Sequence, residues 1–219
     1  MGFSENEILL WFSQYAYQPL PVYSAIVIIS ILASFGLPVP EEVMLVSVGM
    51  VCYMGSRPDL FPPPYAGAEP LNVYLTATIA FFAVFLADVL VFWLGRRYGP
   101  RILTTKFMQK FAGPMEKAGE WTKRYGAFAA GLFRFTPGLR FPGFFSCGTL
   151  GLAWWKFLLV DGFAALISVP SQVLLVAYFG EEILSSFKQF KIVFFSVIAI
   201  LIVGYYGSKM IIRRFQREY

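Results

Sequence analysis

Phe133-Arg134-Phe135-Thr136-Pro137-Gly138-Leu139-Arg140-Phe141-Pro142-Gly143 is the stretch that decides how this chain folds. Two arginines bracket one proline-glycine pair and a second pair follows, all inside an apolar run from Ala127 to Leu152. Proline removes a backbone donor and biases the residue before it away from helix. The run is therefore predicted to break at Pro137-Gly138 and again at Pro142-Gly143. A crossing of the bilayer needs about 20 apolar residues to span a hydrocarbon core about 30 Å thick, so broken arms read as a re-entrant hairpin over 127–152. Helix ends at such a break leave backbone N–H groups free, and these together with guanidinium forks suit a phosphate. Arg134, Arg140, Pro137 and Gly138 are accordingly the candidate substrate-binding residues. The plainer alternative is that the two arginines neutralise Glu42 and Asp88 as buried structural ion pairs. Both hold if such a pair opens when a phosphate or a proton arrives.

Composition places the stretch in a membrane. Of 219 residues, 58% are hydrophobic and only 14% charged, and the mean hydropathy is +0.63, too apolar for a soluble fold. Aromatics make up 19%, many near predicted membrane boundaries, where Trp and Tyr favour the headgroup level. Histidine is absent, which excludes a histidine nucleophile, histidine zinc sites and Ser-His-Asp hydrolases. Cys52 and Cys147 lie far apart in apolar surroundings without CxxC spacing and read as packing residues. No metal site or cofactor is implied.

Outward from the hairpin, the chain divides in order. Residues 1–18 contain Glu5 and Glu7 but no Lys or Arg, unlike a secretory signal. They read as an interfacial amphipathic helix with Ile8, Leu9, Trp11, Phe12 and Tyr15 on its apolar side. Residues 19–55 form a first apolar region, broken at Gly36-Leu37-Pro38-Val39-Pro40 into arms of about 20 Å, from Tyr23 to Phe35 and from Glu41 to Met54. This is a second re-entrant hairpin, with a kinked span as the alternative. Residues 56–70 are a Pro-rich loop, 71–97 a transmembrane span, 98–126 a basic amphipathic segment, 153–179 and 189–212 further spans, and 213–219 a basic tail.

Arg96, Arg97, Arg101, Lys106, Lys110, Lys117, Lys123 and Arg124 crowd one stretch against only Glu116 and Glu120, so 96–126 and the C-terminus are assigned to the cytoplasmic side. The crossings close only if 127–152 returns to its own side. The loop 56–70 and the N-terminus then lie outside, in keeping with the lack of any Lys or Arg before Arg57. The expected fold is all-α: two oppositely oriented re-entrant hairpins and about three full spans, an inverted-repeat plan of the kind that gives secondary transporters a midplane site.

Six charges fall where hydrocarbon is expected: Glu41, Glu42, Asp88, Arg134, Arg140 and Asp161. Each costs at least about 2.5 to 3.5 kcal/mol unpaired on the lenient insertion scale, so partners or a polar cavity are required. Glu41 and Glu42 open a helical arm, where the dipole stabilises a carboxylate while mutual repulsion and burial favour a proton on one of them. With Asp88, which could face the hairpin arginines or orient the loop arginines, they are the candidate proton-coupling residues. Asp161, early in its span, is expected to be interfacial or a structural partner. The basic stretch with Phe107, Phe111 and Trp121 interleaved fits anionic headgroups better than nucleic acid.

Three motifs resemble the DedA family of bacterial inner-membrane proteins, part of a superfamily that includes autophagy-related lipid scramblases of eukaryotes. They are Pro38-Val39-Pro40-Glu41-Glu42 with Gly49, Asp88 through Gly95-Arg96-Arg97-Tyr98-Gly99, and Tyr125-Gly126 followed by Arg134-Phe135-Thr136-Pro137-Gly138-Leu139-Arg140. The resemblance implies two re-entrant hairpins meeting in the bacterial inner membrane and a role in translocating lipids such as undecaprenyl phosphate or phosphatidylethanolamine, with proton coupling in some members. By position, Glu42 matches the family acid after the Pro-x-Pro turn, and Arg134 and Arg140 its essential arginines. Many members place a further Glu before the first break, where this chain has Ser30 and Ser34, which leaves proton coupling open.

The function expected is a flippase or scramblase, not an enzyme, for an anionic phosphate-bearing lipid. Its partners are membrane lipids and, where coupled, protons, with no nucleic acid; a homo-oligomer is compatible. The alternative is a proton-coupled ion or small-anion transporter using the same arginines.

Overall fold

The computed structural model describes residues 5–36, 41–102, 112–136 and 138–183. Helices joined by turns and loops make up these residues, with no strand among them, in agreement with the all-α expectation. The chain divides into two compact units, Met1–Tyr178 and Phe179–Tyr219. Of the second, residues 180–183 are helical. The expected span 189–212 and tail 213–219 lie outside the described residues, as do the Pro38-Val39-Pro40 turn, Lys106, Lys110 and Pro137.

Among the described residues two helices are long and apolar enough to cross a membrane, or three if the bent pair Leu9–Tyr17 and Pro19–Ser34 is one span. The two lie within α4 (Val73–Ile102) and α8 (Trp154–Tyr178). Asn72 caps α4, its Oδ1 accepting from the backbone N–H of Tyr74 and Leu75 at 3.0 and 3.1 Å. The helix runs past the exit expected at Gly95-Arg96-Arg97. Arginine is a good helix former, and Gly95 is needed there for packing rather than for a turn. A side chain on Gly95 would collide with the Phe145 carbonyl, and one on Gly148 with that of Phe92.

Before α4 come α1 (Glu5–Ser13), a 3-10 turn (Gln14–Tyr17), α2 (Pro19–Ser34) and α3 (Glu41–Gly55). The helical stretch Leu9–Tyr17 and α2 meet at 100°. Gln18, placed before Pro19, leaves helical geometry, and Pro19 is tolerated at the first position of α2 because its missing N–H would have no acceptor there. At the far end Gly36 takes φ 76°, which stops α2. α2 is apolar all round, yet its buried side is one i, i+4 stripe: Val22, Ile26, Ser30, Ser34. That stripe turns polar toward the break. α2 packs chiefly on α4 and α3 chiefly on α8, so the two arms touch each other little. Gly49 lets α3 approach α8 closely: a Cβ there would lie 2.7 Å from Val176 Cβ.

After α4, α5 (Ala112–Tyr125) buries Met115, Ala118 and Thr122, one face of a helix whose last turn carries Lys123 and Arg124. The second broken region forms α6 (Phe128–Arg134) and α7 (Arg140–Thr149), each far too short to cross alone. The break is where it was expected, at Gly138 with φ 77°. A second break at Pro142-Gly143 is not found. Pro142 sits in the first turn of α7, where its absent N–H removes no helical bond, and Gly143 donates normally to the Leu139 carbonyl at 2.7 Å. Gly143 has a packing role instead, since any Cβ would strike the Phe133 ring. The core joins these pieces: Phe92 of α4 stacks on Phe157 of α8 at 4.2 Å, and Phe144 of α7 meets Phe157 edge-on at 5.4 Å.

Candidate functional site: a buried cluster of two arginines and three carboxylates

Asp88 lies at the middle of α4, where a carboxylate is most costly in hydrocarbon, and is fully buried. Four donors among the described residues repay that burial. Its Oδ2 accepts from Arg134 Nη2 at 2.5 Å and Arg140 Nη2 at 2.7 Å. Its Oδ1 accepts from Ser34 Oγ at 3.0 Å and Arg140 Nε at 3.2 Å. Arg140 thus grips Asp88 with two parallel bonds, the fork geometry that makes guanidinium-carboxylate pairs strong.

The two arginines come from opposite lips of one break. Arg134 ends α6 and Arg140 begins α7, and the turn through Gly138 aims both back at α4. Arg134 also donates from Nε and Nη2 to Asp161 Oδ1 of α8, at 3.1 and 3.0 Å. Arg140 Nη1 stands 2.6 Å from Glu41 Oε2 at the start of α3. Ser34, Glu41, Asp88, Arg134, Arg140 and Asp161 therefore draw one residue each from α2, α3, α4, α6, α7 and α8. Three carboxylates face two guanidiniums, so the fully ionised cluster has one net negative charge.

Three buried polar atoms here have no hydrogen-bond partner among the described residues: Asp161 Oδ2, Ser30 Oγ, one turn before Ser34, and Glu41 Oε2, whose contact with Arg140 is an ion pair. A buried atom of this kind costs about 1 to 3 kcal/mol, more when charged. The cluster is polar beyond what internal neutralisation alone requires.

Arg134, Arg140 and Asp88 meet as the intramembrane charges suggested, and Glu41 joins them. Glu42 does not: it is exposed, and Arg140 pairs with its neighbour Glu41. One residue along a helix turns a side chain by about 100°, so only one of two adjacent carboxylates can face α7. The assignment of Glu42 to the arginines is corrected to Glu41. Gly138 shapes the turn but is exposed and outside the ion cluster, and Pro137 lies outside the described residues. Of the two places expected for Asp161, the structure bears out the structural partner: it is fully buried on Arg134. The sign that singled out Asp88, an acid within an apolar span, applied to it equally. Ser34 could have been found from the i, i+4 stripe it shares with Val22 and Ile26.

Comparison with known proteins places the chain among bacterial membrane proteins. The VTT domain family model matches residues 39–182, which include Glu41, Asp88, Arg134, Arg140 and Asp161. An uncharacterized membrane protein of Haemophilus influenzae is 32% identical over 73% of this chain and 69% of its own length. An inner membrane protein of Borreliella burgdorferi is 24% identical over 84% and 81%. The uncharacterized membrane protein YbfM of Bacillus subtilis is 28% identical over 54% and 65%. No solved structure gives a significant match. With a matched domain that covers most of the chain and a relative 32% identical over more than two thirds of both chains, the chain belongs to the VTT-domain, or DedA, family of membrane proteins.

Proposed function

We propose that the chain translocates an anionic, phosphate-bearing lipid such as undecaprenyl phosphate or a phospholipid, with Arg134 and Arg140 as the ligands of the headgroup. The observation that supports this reading is two guanidiniums at the lips of one helix break, both directed at a carboxylate in the middle of a membrane-spanning helix. Arginine forks match phosphate as well as carboxylate, so a phosphate can replace Asp88 or Glu41 in the same geometry.

Charge constrains how that exchange runs. The cluster already has one more negative than positive group, so an arriving phosphate adds repulsion unless a carboxylate is neutralised or moves away. A proton taken up by Glu41, Asp88 or Asp161 provides that neutralisation, which would couple the step to a proton. In this reading α2–α3 and α6–α7 are re-entrant hairpins entered from opposite faces, the basic segment 96–126 is cytoplasmic, and opening one hairpin at a time exposes the cluster to one side.

The test is translocation of labelled polyprenyl phosphate and phospholipid in vesicles holding the purified protein. An Arg134→Ala plus Arg140→Ala variant is expected to fall to the protein-free rate, with Arg140→Lys as a variant that keeps a cation in place. Equal rates for wild type and the double variant would overturn the reading. Uptake of free phosphate without lipid movement would favour a small-anion transporter.

A further inference from the structure

The arms of the first hairpin converge at the ion cluster but stand apart along their length, because each packs on a different long helix. The space between them is an apolar groove of about 370 Å³. Ala25 and Ile29 of α2 form one wall, Val43 and Val48 of α3 the other, and Trp11 and Tyr15 close one end. A second apolar groove, beside Leu132 and Phe163, is walled by the α6 region and α8 alone and has no such end wall.

The first groove has chemically different ends. At one stand Trp11 and Tyr15, the residue types that settle at the membrane-water boundary. At the other, Met44 follows Glu41, the partner of Arg140, by three residues on the same face of α3, about 4.5 Å of helix rise. Ile29 stands five residues before Ser34, about 7.5 Å. Between Pro21 and Ile29 the groove follows α2 for about 12 Å. Its lining offers Ser47 as the one hydroxyl between the ends, so water gains little there. An apolar slot whose inner end lies about one helical turn from the Glu41–Arg140 pair complements an amphiphile with an anionic head and a hydrocarbon tail.

We propose that this groove is the tail subsite of the transported lipid, holding one hydrocarbon chain while the phosphate is engaged by Arg140 and Arg134. The assignment rests on the translocation reading above and adds to it a requirement on the substrate: one chain must lie between α2 and α3. Chain length then matters independently of the headgroup.

The full chain in phosphatidylcholine vesicles is exposed to two photoreactive probes, a prenyl phosphate with a diazirine at the tail end and the matching phosphate-free alcohol, and the adducts are mapped by mass spectrometry. Adducts of the phosphate probe at Ala25, Ile29 and Ser47 are expected to exceed those at Phe82 and Leu86, exposed residues of α4, by about tenfold, one decade of binding preference. Filling the groove with Ala25→Phe and Ser47→Phe should abolish the excess at an unchanged melting temperature. Equal labelling of the groove and the α4 face, with lipid phosphate translocation intact, overturns the tail subsite and leaves the translocation reading standing. Groove labelling that is strong but identical for phosphate and alcohol keeps the groove as a chain site and overturns the phosphate reading beneath it.

Discussion

Arg134→Met isolates the energetics of the cluster. The substitution keeps length and apolar bulk but removes three hydrogen bonds, one to Asp88 and two to Asp161. The two acids are affected unequally. Asp88 keeps Ser34 Oγ and both bonds from Arg140. Asp161 loses both of its described donors and is left fully buried. Removing one member of a buried pair typically costs about 3 to 5 kcal/mol because the other charge is stranded, which for a chain of this size lowers the melting temperature by roughly 6 to 20 °C. Nearly all of that loss should trace to Asp161. Adding Asp161→Asn to Arg134→Met is therefore expected to restore a coupling of about 1 to 3 kcal/mol, whereas Asp88→Asn in the same background restores none. The assay is thermal unfolding of the four proteins of the cycle in detergent, followed by far-ultraviolet dichroism. If Arg134→Met plus Asp161→Asn melts no higher than Arg134→Met alone, the stranded-charge reasoning is wrong.

Further outcomes follow from neighbouring geometry. Glu41→Gln should change lipid translocation by about tenfold or more, one decade per 1.4 kcal/mol of altered barrier, while exposed Glu42→Gln leaves it within experimental scatter; transport in vesicles separates the two. Gly95→Ala forces α4 off the Phe145 carbonyl and should destabilise by about 1 to 3 kcal/mol, read as a lower melting temperature. Ser34→Ala removes a bond to a charged acceptor and should cost about 1.5 kcal/mol. Ser30→Ala, which deletes a buried hydroxyl without a described partner, should leave the melting temperature unchanged or raise it.

Much of this arrangement was legible before any coordinates. The break at Pro137-Gly138 needed only the local chemistry of proline and a glycine at positive φ. Pro142 misled the same reasoning because proline breaks a helix in its interior but not in its first turn, and which case applies depends on where α7 begins. Asp88 was correctly suspected as a partner of the hairpin arginines, since a carboxylate halfway along an apolar span has few other ways to be satisfied. Asp161 met the same criterion, and of its two expected places, interfacial or structural partner, the structure bears out the second.

By itself the sequence determined which segments partition into a membrane, where they break, and that two arginines and several acids lie within the apolar stretches. These are local properties: hydropathy, proline geometry and the cost of charge in hydrocarbon act on each segment before it has neighbours. Only the tertiary structure decided who pairs with whom. Glu41 rather than Glu42 reaches Arg140, Asp161 shares Arg134 with Asp88, and Ser34 completes the set. The rotation of each helix about its axis makes those choices, and that rotation is set by how α2 packs on α4, α3 on α8, and α7 against the glycines of α4.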